Sequence, residues 1–329
     1  MPDVLNSQTV CVDVGARLVR MCVGRGQPRV AAVPLAPNVI ADGTVLDRGT
    51  VVEALKKLMK ELQVRGGGPA AILLPASRAS ILQLEVPAGP DQEEALAFEI
   101  RHALPDFGDE LILSHQFLGG SSSHSRVLVV GAPRRSVAER SSLLEDAGLS
   151  PRVVDVDILA MMNSQERAPV EWTAHVLLGH DRVAAVAAFE GRPHICLCRA
   201  SGSGHSIEAS LAGAGLPERR IRALLEGDSP SGQGESEAMV AVVDAASREI
   251  GAIAKRLIEL CRADSSGLRL ILGGGGATIP GLGEALGARF GASVSLVQLS
   301  RWRCTGAHKI SAAAAAPVVG LWRRCQGVD

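Results

Sequence analysis

The stretch at residues 10–35, "VCVDVGARLVRMCVGRGQPRVAAVPL", decides the fold. Three apolar runs are separated by a turn at Gly15 and by the polar sequence GRGQP, a pattern that predicts a meander of three strands. The interruption at Asp13 and Gly15 has two interpretations. A glycine turn after a strand can hold a nucleotide phosphate, or it can merely join two strands.

The same plan recurs in the second half of the chain, at residues 174–200, "AHVLLGHDRVAAVAAFEGRPHICLCRA". Gly179 follows Gly15 by 164 residues, which is half of the 329-residue chain. Helical periodicity follows each meander, first at 50–63, with Thr50 as the predicted cap, and later at 238–262. The stretch at 268–286, "LRLILGGGGATIPGLGEAL", then predicts strand, glycine loop and helix. Two similarly built α/β lobes explain this arrangement.

The duplication predicts domain boundaries. The first lobe spans residues 8–168 and carries an inserted subdomain at 81–150, whose pattern is strand, helix, strand, strand, helix. The second lobe spans 169–325. We expect its C-terminal helix, 311–324, to pack back on the first lobe.

Composition excludes several classes of function. The formal net charge is −1, from 34 basic and 35 acidic residues, so no overall field favours nucleic acid or anionic lipid. The chain has no Tyr, five Phe and three Trp, too few aromatic side chains to stack single-stranded bases. Its seven cysteines have no CxxC spacing, so we predict reduced thiols and no metal site.

No segment is predicted to enter a membrane. Residues 1–9 lack the basic start and apolar core of a signal peptide. The most apolar late segment, "ISAAAAAPVVGLW" at 310–322, is 13 residues long, against about 20 for a bilayer span. We therefore expect a soluble cytoplasmic protein that contacts a membrane only through partners.

The sequence offers two further candidate chemistries, a dinucleotide-binding loop and a pair of carboxylates. The glycines at 273–276 follow a strand, but no acidic residue closes the next strand as a dinucleotide-binding unit requires. Asp155 and Asp157 would share one face of a strand, as a pair of catalytic carboxylates does. The alternative, which we favour, is that Asp157 lies at a strand-to-helix turn and caps the helix or faces the cleft between the lobes.

With these pieces in order, the chain resembles the actin/hexokinase/Hsp70 superfamily and, within it, the PilM family of type IV pilus assembly. The resemblance predicts a two-lobed actin-like ATPase fold, of class α/β, with a small α+β subdomain inserted in the first lobe. The segments that carry it span nearly the whole chain: "VDVGARLVRMCV" (12–23), "VPLAPNVIADGTVLD" (33–47), "LEVPAG" (84–89), "EEALAFEIRHALP" (93–105), "EDAGLSPRVVDVDILAM" (145–161) and "LGGGGATIPGLGEALGARFG" (272–291).

The resemblance implies a nucleotide site. In this superfamily, glycine turns direct backbone N–H groups at phosphate oxygens, because only glycine lets amides approach an anion so closely. The positions that match are Asp13, Gly15 and Arg17 in the first phosphate loop, Gly179 in the second, and Gly273, Gly274, Gly275 and Gly276 in the nucleoside loop. The implied cofactor is ATP with Mg²⁺.

This sequence departs from the family pattern at those loops. Ala16, Arg17 and Leu18 replace the usual small hydroxyl residues, and Arg17 would either contact phosphate or fill its place. Leu177 stands where an acidic residue is usual, so Mg²⁺ loses a carboxylate unless Asp181 substitutes. We therefore expect weak or absent ATP binding, no resident metal and no catalytic residue.

The resemblance also implies a role. PilM-like proteins bind the N-terminal tail of PilN, a bitopic inner-membrane protein, beside other pilus platform and motor proteins. The chain would then be a scaffold, cytoplasmic and peripheral at the inner membrane, and small apolar residues would line the tail's groove: Leu84, Val86, Pro87, Ala97 and Ile100. Two alternatives stay open, an active actin-like ATPase or kinase-like enzyme, and a GspL-like type II secretion protein. The latter normally continues into a membrane helix, whereas this sequence ends at Asp329.

Overall fold

The computed structural model describes residues 9–104, 110–165, 172–180, 182–200, 207–225, 230–261 and 269–327. The elements of the first half are β1 (Val10–Val14), β2 (Leu18–Val23), β3 (Arg29–Pro34), β4 (Ile40–Ala41), β5 (Thr44–Val45), α1 (Arg48–Leu62), β6 (Pro69–Leu74), β7 (Ser80–Pro87), α2 (Gln92–Ala103), β8 (Leu111–Gly120), β9 (His124–Pro133), α3 (Arg134–Asp146), β10 (Ser150–Val156) and α4 (Asp157–Asn163).

The second half contains a comparable succession of strands and helices. Its elements are β11 (Trp172–Leu178), β12 (Arg182–Phe189), β13 (Arg192–Ala200), α5 (Ile207–Gly213), α6 (Glu218–Leu225), α7 (Gln233–Cys261), β14 (Arg269–Gly273), α8 (Leu282–Phe290), β15 (Ser293–Leu296), β16 (Arg303–Cys304) and α9 (Ala312–Cys325).

Two of the sheets have the same internal plan. In the described part of the chain the first has the strand order β10-β6-β1-β2-β3-β16, and the second has the order β13-β12-β11-β14-β15. In each, an antiparallel meander (β1-β2-β3, β11-β12-β13) is extended beside its first strand by parallel strands. The duplication read from the two glycine turns is therefore present in the topology. The lobe boundaries 8–168 and 169–325 remain our proposal.

The helix α1 shows how the sequence builds the first lobe. Its buried residues repeat every three or four positions, so they form one face that packs on the first sheet: Val51, Ala54, Leu55, Leu58, Met59 and Leu62. The predicted cap at Thr50 is wrong by three residues. Asp47 caps the helix, because its carboxylate accepts hydrogen bonds from the Thr50 N–H at 3.0 Å and from the Thr50 hydroxyl at 2.7 Å.

A third sheet, ordered β7-β9-β8, stands beside the first lobe and is covered by α2. It begins at Ser80, near the start predicted for the inserted subdomain. The helix α3 falls within the predicted subdomain at 81–150 but packs on the first sheet, where Leu143 and Leu144 are fully buried. We propose that the inserted unit ends near Pro133, because α3 buries its apolar face in the core of the first lobe.

The helix α9 lies across the first sheet and against α4. Leu321 and Val318 are fully buried there, beside Cys11 and Leu73. Gly320 sits at the crossing with α4, where a Cβ would overlap the carbonyl oxygen of Ala160. Among the described residues no helix is long and apolar enough to cross a membrane.

The lobes share an apolar interface. Leu177 and Val186 of the second sheet pack with Val156, Ile158 and Met161 of the first lobe. Leu177, at the position where the family usually has an acidic residue, is 8% exposed. An aliphatic side chain at this position therefore contributes to holding the lobes together.

Candidate functional sites

The two glycine turns line one cleft between the two large sheets. Gly15 lies between β1 and β2, and Gly179 between β11 and β12. The cleft volume is about 190 Å³. The predicted residues that line it are Asp13, Gly15, Arg17, Gly179, Gly274, Gly275 and Gly276. Gly273 does not line the cleft, because it ends β14 and packs against Met161, whose side chain a Cβ would overlap.

Several glycine amides in this cleft already have acceptors. The N–H of Gly15 donates to the Leu18 carbonyl at 3.0 Å, and the N–H of Gly179 donates to the Arg182 carbonyl at 2.9 Å. The N–H of Gly274 donates to the Ala313 carbonyl at 2.7 Å. These three amides are committed to turns and to α9, so in this conformation they do not form a phosphate cradle.

Three arginines in the cleft pair with carboxylates. Arg20 Nη1 lies 2.7 Å from Asp13 Oδ2 within the first sheet. Arg182 Nη2 lies 3.6 Å from Asp157 Oδ2, which joins the second lobe to the first. Arg17 donates to Glu208 on α5 through Nε at 3.0 Å and through Nη2 at 2.6 Å, again between the lobes. Among these arginines only Arg17 lies at a position that the sequence motifs predict to be part of the site.

Asp157 begins α4 and faces the cleft, the interpretation favoured from the sequence. Its Oδ1 accepts hydrogen bonds from the N–H groups of Ala76 at 2.9 Å and Ile158 at 2.7 Å. Burial raises the pKa of Asp157 to about 6, an effect that Arg182 opposes and Asp13 reinforces. Asp155 points elsewhere and pairs with Arg324 at 2.7 Å, so the two carboxylates do not form a catalytic pair.

A larger groove lies between the third sheet, the first lobe and the end of α9, with a volume of about 1350 Å³. Its walls are the consecutive residues Ser114–Gly119 of β8, the end of β10 with Asp155, and α4 with Leu159 and Met162. In the described part of the chain, β8 and β10 are terminal strands of their sheets. Both can therefore present backbone N–H and C=O groups to the groove.

The groove also contains polar atoms that lack partners. Asp155 Oδ2, Gln165 Nε2, His175 Nδ1 and Gln326 Nε2 are buried and have no hydrogen-bond partner among the described residues. Burial lowers the pKa of His175 to about 4, so this imidazole is neutral at pH 7. Buried polar atoms of this kind are expected to bond a ligand or water.

The sequence of this chain matches a known family. The sequence profile described as "Type IV pilus assembly protein PilM" matches residues 13–186, more than half of the chain. The chain belongs to the PilM family.

Solved structures share the fold of this chain. A structure described as a PilM–PilN type IV pilus biogenesis complex matches with a TM-score of 0.79 and 21% identity, over 98% of this chain and 99% of that one. The ethanolamine utilization protein EutJ from Carboxydothermus hydrogenoformans matches with a TM-score of 0.57 and 15% identity, over 95% and 88%. No curated protein sequence is a significant match. The predicted two-lobed actin-like ATPase fold is confirmed.

The residues predicted to line the tail groove do not share one surface. Val86 is fully buried and packs with Leu96, Val127 and Val129 in the core of the third sheet and α2. Leu84 and Ile100 pack against the same core, whereas Pro87 and Ala97 are exposed. None of the five lines the 1350 Å³ groove in the described part of the chain. Leu84, Val86 and Ile100 therefore belong to a small core, and tail binding by the five residues stays a prediction. Pro105 of the quoted motif lies outside the described residues.

The residues of the cleft do not fit the Mg²⁺–ATP that the PilM resemblance implies. Asp13 and Asp157, two carboxylates that line the cleft, are each paired with an arginine. The carboxylate of Glu208 accepts two hydrogen bonds from Arg17, so it takes the place of a phosphate group at that side chain. Asp181, the suggested substitute carboxylate, lies outside the described residues. No group of three or more metal-ligating side chains is present within the described ranges.

Proposed function

We propose that this PilM-family chain is an adaptor of type IV pilus assembly that binds the N-terminal tail of a PilN-like membrane protein. It would act on the cytoplasmic side of the inner membrane, peripheral through that partner, beside other platform and motor proteins. Family membership supports the pilus role. The observation that carries the binding role is the long groove beside β8.

The groove suits an extended segment. Six consecutive residues of β8, Ser114–Gly119, line it, so both the strand edge and its side chains face the same space. A tail can add to such an edge through main-chain hydrogen bonds while alternate side chains enter pockets. Arg192 of the second lobe donates a hydrogen bond to the carbonyl of Leu118, which lies where the pairing of β8 with β9 shifts register.

Apolar burial would supply much of the affinity. Phe117 is 39% exposed, and Leu159 and Met162 of α4 line the same groove. Covering such surface is worth about 25 cal/mol per Å². Asp155 Oδ2 and His175 Nδ1 would accept hydrogen bonds from the tail, if His175 carries its proton on Nε2.

The proposal includes weak nucleotide binding and no turnover. Phosphoryl transfer needs a placed metal ion and an activated water or hydroxyl group. Arginine pairing at Asp13 and Asp157 argues against a resident metal ion. We therefore favour a scaffold over the active ATPase or kinase alternative.

The test is a titration of the folded protein with a fluorescent peptide that copies the cytoplasmic N-terminus of the bitopic partner. A scrambled peptide of the same composition is the control. The proposal expects saturable binding at micromolar concentration or tighter for the native peptide alone. Absence of binding from folded protein, or equal binding of both peptides, would overturn it.

A further inference from the structure

Arginine side chains pair with the carboxylates of the cleft. A metal-dependent nucleotide site would need those carboxylates free. Asp13 and Arg20 face each other across the hairpin of β1 and β2, and their side chains pair at 2.7 Å. The second hairpin has Leu177 opposite Ala184 at the equivalent place. In the first hairpin the carboxylate is therefore neutralised by an arginine, and in the second hairpin the equivalent position is apolar.

Two guanidinium groups in the cleft still have N–H groups to donate. Arg17 Nη1 and Arg20 Nε are buried and have no acceptor among the described residues. Arg20 is 9% exposed, and its Nη2 reaches within 4.0 Å of the place a Cβ on Gly275 would take. Buried guanidinium donors without acceptors favour an anion as ligand, since a planar fork matches phosphate oxygens.

A carboxylate of the protein itself already occupies part of this site. The carboxylate of Glu208 accepts two hydrogen bonds from Arg17, and its Oε1 lies 3.4 Å from His180 Nδ1. Glu208 therefore lies where Arg17 and the second glycine turn would meet a phosphate group. A phosphate that binds Arg17 has to displace this carboxylate.

A further arginine reinforces the positive charge behind the cleft. Arg140 of α3 is 1% exposed, donates to the Gly43 carbonyl at 2.7 Å and has a buried Nη1 without an acceptor in the described part of the chain. Burial lowers the pKa of Arg140 to about 10, so it stays charged at neutral pH. Its guanidinium adds one positive charge close to Arg182, Asp13 and Asp157.

We infer that the cleft is a metal-independent site for a phosphate-bearing anion, in which arginines replace the divalent cation and Glu208 competes with the ligand for Arg17. The inference rests on the weak nucleotide binding of the proposed function and specifies its ligand as the metal-free form. It does not depend on tail binding, because no described residue lines both the cleft and the groove.

The experiment is calorimetric titration of the full chain with ADP and, separately, with inorganic pyrophosphate, each in EDTA and in excess Mg²⁺. We expect binding in EDTA, and weaker or equal binding in Mg²⁺, because the metal removes negative charge from the ligand. Equal affinity for ADP and pyrophosphate would show that the site binds only the phosphate groups. Tighter binding of ADP would show that the nucleoside also contributes to the affinity. Either result agrees with the inference.

Variants identify the competing carboxylate. Glu208→Gln should bind the anion at least about 10-fold more tightly than the wild type, because Arg17 is released. Glu218→Gln is the matched control, since that carboxylate is 64% exposed and 3.9 Å from Arg17, and it should change affinity by less than about 2-fold. Arg17→Gln in the Glu208→Gln background should remove the gain.

Two results would overturn the inference in different ways. Binding that requires Mg²⁺ would refute metal independence and leave weak nucleotide binding standing. No binding by Glu208→Gln in either condition would refute both the anion site and the nucleotide part of the proposed function. The peptide titration would be unaffected in each case.

Discussion

Arg17 and Glu208, 191 residues apart in sequence, form a two-point ion pair that joins the turn after β1 to α5 of the second lobe. The side chains are 18% and 24% exposed. This pair, together with the Arg182–Asp157 contact, joins the lobes across the cleft. Side chains of the protein itself therefore bridge the cleft.

The Arg17–Glu208 pair should contribute measurably to stability. A double-mutant cycle with Arg17→Gln and Glu208→Gln, followed by urea unfolding, should give a coupling free energy of about 1–2 kcal/mol, between the values for exposed and buried pairs. The control cycle uses Arg256 and Glu259, which are 61% and 49% exposed, and should give under about 0.5 kcal/mol. Equal coupling free energies in the two cycles would contradict a stabilising role for the Arg17–Glu208 pair.

Gly320 should be required for the packing of α9 on α4. The substitution Gly320→Ala forces a Cβ into the Ala160 carbonyl, so we expect a loss of about 1–3 kcal/mol or more in the free energy of unfolding. Gly287→Ala in α8 meets only ordinary contacts at 3.6 Å and 3.9 Å and should gain about 0.5–1 kcal/mol. A neutral Gly320→Ala would show that the two helices cross less closely.

Val86→Asp should unfold the inserted sheet rather than act on tail binding alone. The side chain is fully buried among Leu96, Val127 and Val129, so the new carboxylate would be buried without a partner. We expect a loss of several kcal/mol, measured by urea unfolding and by loss of amide exchange protection in β7 and β9. Full stability with loss of tail binding would instead return the binding site to the surface predicted from the sequence.

His175 should make stability depend on pH. Its pKa is lowered to about 4 in the fold against about 6.5 when unfolded, so the stability it contributes is present above pH 6.5 and is lost as pH falls toward 4. Between pH 7.5 and pH 5 the loss is about 2 kcal/mol by linkage.

The readout is the wild type compared with His175→Gln by urea unfolding at both pH values. Asp157, whose pKa is raised to about 6, gives the opposite trend and is common to both proteins. The free-energy difference between wild type and variant should therefore be about 2 kcal/mol more favourable to the wild type at pH 7.5 than at pH 5. A difference independent of pH would contradict a buried neutral imidazole.

The fold could be predicted because its signals are local. Alternation of apolar residues and the turns at Gly15 and Gly179 fix two meanders, and their spacing reveals the duplication. The hairpin geometry even implied that Asp13 and Arg20 face each other, since strands paired around the Gly15 turn bring these positions into register. A charged residue inside the apolar run "LVRMCV" was the signal that we missed.

The site could be predicted only in part, because its partners come from distant segments. Glu208 reaches Arg17 only after both lobes fold, and no motif marks it. Apolar spacing around Val86 was a correct sign of burial but cannot tell a core from a ligand wall. The groove beside β8 arises from a strand left at the end of its sheet, a property of the topology that periodicity does not contain.

The measurement that tests the central claim most directly compares Phe117→Glu and Phe98→Glu in the peptide titration. Phe117 is 39% exposed and lines the groove, whereas Phe98 is 62% exposed on α2, beside Ala97, and does not. The account predicts that Phe117→Glu loses at least about 10-fold in affinity and that Phe98→Glu binds like the wild type. The reverse result, from two folded variants, would contradict binding of the tail in the groove and would place the tail on α2.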